Sequence, residues 1–75
     1  MRQIDVILNP VCTCTVFSAN GKLILKCEAG PMEQVYKFSE LEFSLGVIKE
    51  KCTEAFWQGV KARFDMMFAE MKNFY

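Results

Sequence analysis

An α+β fold is predicted: an antiparallel β-meander of three to four strands, then a long C-terminal helix packed on one sheet face. Three observations carry that prediction. The first half of the chain alternates β-branched or apolar residues with polar ones, which is the period of a half-buried strand. An Asn20-Gly21 pair divides two such runs, the strongest short hairpin signal, because a type I′ turn needs positive φ at both central residues. After Pro31 there is no further proline, so nothing forbids a helix through the second half.

The elements follow in order. Residues 3–8 form a strand with Ile4, Val6 and Leu8 facing inward, closed by Asn9-Pro10. Strands over about 11–19 and 22–29 flank the hairpin turn. Its two-residue loop sets Phe17 against Ile24, Val16 against Leu25 and Cys14 against Cys27. Cys12, Cys14, Val16, Leu23, Leu25 and Cys27 then share a core face. Thr13, Thr15, Phe17, Lys22, Ile24, Lys26 and Glu28 share a wet one. Gly30-Pro31 turns the chain into a fourth strand near 33–38. Ser39 and Glu42 have capping-box spacing, and Phe38 and Phe43 that of a hydrophobic staple, so the helix is placed over about 40–74. The alternation of Leu41, Phe43, Leu45 and Val47 allows a strand to Gly46 instead. A helix of that length, about 50 Å at 1.5 Å per residue, outruns strands of about 27 Å. It breaks near Gly46 or Gly59, or its end projects.

With 75 residues the chain is a single domain, near the lower limit for one that folds alone. Nine basic and nine acidic side chains cancel, which argues against a nucleic-acid binder, whose affinity rests on phosphate neutralisation. No run of about 18 apolar residues exists to span a membrane, and no clean signal-peptide cleavage site follows the first residues. A cytoplasmic location is expected.

Catalytic residues are not expected. There is no histidine, no Gly-rich phosphate loop, and no activated nucleophile beside a base. No cofactor is expected either.

Surplus apolar surface on the helix is the strongest functional signal. One heptad-spaced stripe, Ile48, Cys52, Ala55, Gly59, Ala62, Met66 and Ala69, is mostly small. A second, Trp57, Val60, Phe64, Met67, Met71 and Phe74, is large. Together they span about twice the arc that one core requires. The small stripe is expected on the sheet and the large one against another chain. Trp57, Val60, Arg63, Phe64, Met67, Glu70, Met71 and Phe74 are therefore the expected interface. Arg63 and Glu70 would face each other twice in an antiparallel pair, or else simply reach water from the rim.

The function expected is a small non-enzymatic protein-interaction module: an adaptor, a regulatory subunit or an inhibitor. Its partner would be a second copy or a heterologous protein. Two alternatives stand beside it. Cys12, Cys14, Cys27 and Cys52 all point inward and could hold zinc as four thiolates, although the one-residue gap between Cys12 and Cys14 is not the usual two. They could instead be inert core thiols, or Cys14 and Cys27 could be bonded, since such a cross-strand pair lies within disulfide reach. The second alternative is weak single-strand nucleic-acid binding through Phe17, Lys22, Ile24 and Lys26.

Overall fold

The computed structural model describes residues 1–75 and has the predicted α+β architecture. Four strands, β1 (Arg2–Ile7), β2 (Thr13–Ala19), β3 (Lys22–Ala29) and β4 (Met32–Ser39), form one antiparallel sheet in sequential order. Two helices follow, α1 (Leu45–Lys51) and α2 (Glu54–Met71), and a final 3₁₀ turn covers Lys72–Phe74.

The hairpin between β2 and β3 has the expected register, with Phe17 opposite Ile24, Val16 opposite Leu25 and Cys14 opposite Cys27. Asn20 and Gly21 take φ of 50° and 75°, the left-handed values that the turn requires. On the inner face Cys14, Val16, Leu23, Leu25 and Cys27 are buried as expected, while Cys12, outside the strand, is half-buried and Thr15, expected on the wet face, is buried. On β4 the same face carries Phe38, Tyr36, Gln34 and Met32, opposite Leu23, Leu25, Cys27 and Ala29.

β1 departs from expectation. Its register slips between Gln3 and Asp5, leaving Ile4 as the extra residue of a bulge. One inserted residue reverses the parity of everything around it. Ile7, opposite Cys14, is therefore the buried residue, while Ile4, Val6 and Leu8 are 37%, 41% and 91% exposed. Asp5 is carried to the helical side, where its carboxylate meets Lys49 of α1. That ammonium, with the Val6 amide, holds the Asp5 carboxyl below its usual range.

The helical half also begins later than expected. Ser39 ends β4 rather than capping a helix, and its hydroxyl accepts the Leu41 amide at 3.2 Å in a tight turn. The Phe38–Phe43 contact does form, with ring centroids 4.9 Å apart, but it closes this turn onto the sheet. The true caps are Ser44, accepting from the Val47 amide, and Thr53, accepting from the Phe56 amide. Each satisfies an amide that the first helical turn leaves free. The break between the helices lies at Cys52–Thr53, not at Gly46 or Gly59. It lets α1 fold Ile48 into the core before α2 crosses the sheet.

Candidate functional site

α2 lies on the sheet with its large stripe, the reverse of the predicted orientation. Val60 is fully buried, and Phe64 and Trp57 are 5% and 8% exposed within this chain's own core. Burying each is worth about 1.5–3 kcal/mol, so these three leave the predicted interface. The reason is the size of the side chains beneath them. Cys14 and Cys27 occupy the centre of the inner sheet face, and small residues there leave depth for large ones from the facing helix. Of the small stripe, Ala55, Ala62, Met66 and Ala69 consequently face solvent, Cys52 and Gly59 are half-buried, and only Ile48, on α1, is in the core.

Arg63 is recruited inward from the rim. Its Nε–H donates to Gln34 Oε1 at 2.9 Å and its Nη2–H to the Tyr36 hydroxyl at 2.8 Å. Gln34 Nε2 in turn donates to the Val60 carbonyl at 3.1 Å, and the Tyr36 hydroxyl donates to Gln34 Oε1 at 3.4 Å. Three of these hydrogen bonds tie β4 to α2, and the fourth joins Tyr36 to Gln34 within β4. Sequence reasoning missed this network, since Gln34 reads as a strand polar residue. Its parity with Tyr36 and Phe38 was the available signal.

Beyond Phe64 no residue of α2 is buried. Met67 and Met71 are half-covered, and with Met32, Glu70 and Phe74 they line an open groove of about 260 Å³. Met66 and Phe68 are 63% and 50% exposed, and Phe74 and Tyr75 are 88% and 96% exposed. Lys72 lies over the Phe68 ring, 4.7 Å from its centroid. Of the predicted interface, Glu70, Met67, Met71 and Phe74 therefore remain at an accessible surface, joined by Met66 and Phe68. This terminal stretch, the last turns of α2 together with the 3₁₀ turn and Tyr75 that continue it, is the candidate site.

The cysteines form a different kind of cluster. Cys14 and Cys27 are buried free thiols with Sγ atoms 3.7 Å apart. Cys12 is half-buried and donates to Asn9 Oδ1 at 3.7 Å. That side chain also accepts the Val11 and Cys12 amides and folds the β1–β2 loop. Cys52 sits at the helix break. Burial, with Cys27 alongside, pushes the Cys12 thiol up to about 11. The bond to Cys14, then burial, holds Cys27 protonated far above the ordinary thiol range, and burial also raises Cys52. Thiols held protonated are poor nucleophiles. No three acidic or cysteine side chains gather where they could share a metal ion.

The predicted nucleic-acid alternative falls on the outer sheet face. Phe17 and Ile24 pair there, half-buried, while Lys22 is exposed beside the turn. Lys26 is engaged by Glu28 at 3.7 Å and Glu33 at 3.4 Å. Lys26 is thus already paired with carboxylates that would repel a phosphate, which leaves Lys22 alone of the two without an acidic partner.

Two further features have no counterpart in the sequence reading. A cavity of about 60 Å³ lies under the helix break, apolar but for Lys51 at its edge, between Leu25, Phe38, Phe43, Ile48, Cys52 and Phe56. An open cleft of about 450 Å³ separates the Leu8–Val11 loop from Glu54, Trp57, Gln58 and Lys61. The first lacks the convergent polar groups of a small-molecule site, and the second has polar side chains without enclosing apolar walls.

No helix is long and apolar enough to cross a membrane. Comparison of the chain with protein-family models, with curated proteins and with solved structures found no match.

Proposed function

We propose that this protein is a small non-enzymatic protein-interaction module that associates through the terminal stretch of α2. One observation carries the reading: Met66, Phe68, Phe74 and Tyr75 are half to almost wholly exposed within ten residues of one another. Phe74 lines a groove with Met67 and Met71, and Met66 and Phe68 project to either side of it. Exposed aromatic and methionine side chains are what interface centres are enriched in, and apolar surface left this open marks an interaction site. An adaptor, regulatory subunit or inhibitor needs no more chemistry than this. Four free thiols fit a reducing compartment, and the cytoplasm is the location this reading assumes.

Quantitative affinity capture from host extract with wild type, Phe68→Ser and Phe74→Ser tests it. These side chains hold no core position, so the variants fold. A protein retained by wild type and lost from both variants supports the reading. Equal recovery by all three sinks it.

A further inference from the structure

We propose that the terminal stretch of α2 pairs antiparallel with the same stretch of a second copy of this chain, in one register set by charge. This rests on the interaction reading above for the segment alone, since the seam lies on the face of α2 turned away from Met67 and leaves the Met67–Met71 groove open. Ala62, Met66 and Ala69 are exposed and spaced by four and three residues, the spacing of a coiled-coil seam. They lie on the side of α2 opposite Val60, Phe64 and Met67. Arg63 and Glu70 flank the seam on one side, and Asp65 and Lys72 on the other, all four exposed.

The chain's three ion pairs join Lys26 to Glu28 and Glu33, and Lys49 to Asp5. Asp65 and Glu70 are therefore carboxylates without a cation. Arg63 spends Nε and Nη2 on Gln34 and Tyr36, which fixes the guanidinium and leaves Nη1 free of any bond within the chain. Antiparallel helices bring like flanks together. With Met66 packed against the second copy's Ala69, Arg63 faces Glu70 of the second copy twice, and Asp65 faces Lys72 twice.

Other arrangements are penalised. A shift of one heptad sets Arg63 against Arg63 and Asp65 against Asp65. Parallel pairing in register sets Asp65 against Glu70. Like charges so placed are repulsive, so one arrangement out of three is complementary. Alanines in the seam let the helices approach closely, and Met66 fills the space between them. The contact spans about two heptads and buries less than the roughly 1,200–2,000 Å² of a stable interface. The dimer is accordingly weak and concentration-dependent.

Sedimentation equilibrium of the full chain up to about 1 mM tests this, with Asp65→Lys, Lys72→Glu and the double variant. Both positions are exposed and outside the core, and circular dichroism checks that each variant is folded. Each single change is expected to weaken self-association about tenfold or more, and the double change to restore it to within about twofold. A double variant no tighter than the singles overturns the pairing, as do singles indistinguishable from wild type. A wild type that stays monomeric throughout overturns the second copy as occupant. The capture experiment with Phe68→Ser and Phe74→Ser then decides separately whether the interaction reading survives.

Discussion

The two ends of α2 are built from the same kinds of residue and meet opposite fates. From Trp57 to Phe64 the helix is anchored by three buried side chains and the Arg63–Gln34–Tyr36 network. From Phe68 to Tyr75 equally large side chains stand in solvent. Composition does not separate them; the extent of the sheet beneath does. A small domain has only so much inner face to offer, and that face ends near Met32, at the Gly30-Pro31 turn. Where the sheet stops, an amphipathic helix keeps its apolar side and loses its cover. That remainder is available to a partner.

Deleting a phenyl ring from each end is the sharpest way to break the comparison. Phe64→Ala leaves a cavity over the sheet and is expected to cost about 3–5 kcal/mol, enough to unfold much of so small a domain. Phe74→Ala, at 88% exposure, is expected to stay within about 0.5 kcal/mol of wild type. Urea unfolding followed by far-UV circular dichroism measures both. Equal losses would mean that the terminal stretch is part of the core after all.

The polar anchor comes next in size. Gln34→Ala removes the donor to the Val60 carbonyl and an acceptor from Arg63, leaving Tyr36 and Arg63 to bond each other. A loss of about 1–3 kcal/mol is expected. Arg63→Lys should recover little of the network, because one ammonium cannot reproduce two bonds in fixed fork geometry. The same urea series compares the two, and amide exchange locates the loss in the anchored half.

How far this architecture was legible from the residues varies from element to element, for physical reasons. The β2–β3 register was fully readable because the Asn20-Gly21 turn leaves one choice, and the inner sheet face followed from it. β1 was misread because a bulge at Ile4 has no local composition signal, and one inserted residue reverses every facing. The helix start was misread because Ser39 and Ser44 are both competent caps. Pairing of β4 up to Ser39 decided between them, and that is a long-range event. Both stripes of α2 were visible in the spacing, but which one met the sheet depended on the depth left over Cys14 and Cys27. That depth belongs to the assembled sheet and not to the helix. The site was half legible in consequence: Met67, Glu70, Met71 and Phe74 remain at the surface, while Trp57, Val60 and Phe64 do not.

Alkaline pH weakens the fold through thiols beneath and beside α2, at the β1–β2 loop, on β3 and at the helix break. Cys12 rises from 9.0 to about 11 in the folded chain, and Cys27 and Cys52 rise as well. A thiol raised on folding holds its proton more tightly in the native state than in the unfolded one. Its contribution is complete below about pH 9 and is lost as pH climbs through the folded value, about 11 for Cys12. Urea midpoints should therefore fall between about pH 8 and about pH 10, and fall less steeply in Cys12→Ala. A flat profile, or an identical slope in the variant, would detach the thiols from stability.

The smallest expected effect lies at Gly59, between the anchored face of α2 and its exposed seam. Glycine inside a helix costs about 0.5–1 kcal/mol relative to alanine, so Gly59→Ala should stabilise if nothing stands in the way. What stands there is Arg63: an added Cβ would lie 3.3 Å from its Nη1 and 3.7 Å from its Nη2. The guanidinium is the flexible end of a long side chain, so it can give way, but only by loosening its bonds to Gln34 and Tyr36. The helical gain and the network loss then oppose each other, and the net change in Gly59→Ala should be close to zero. Introducing the same change into Gln34→Ala, where the network is already opened, should release most of the gain. A double-mutant cycle in urea reads this coupling directly. Strict additivity would show that Arg63 moves aside at no cost, and that the anchor is looser than its geometry implies.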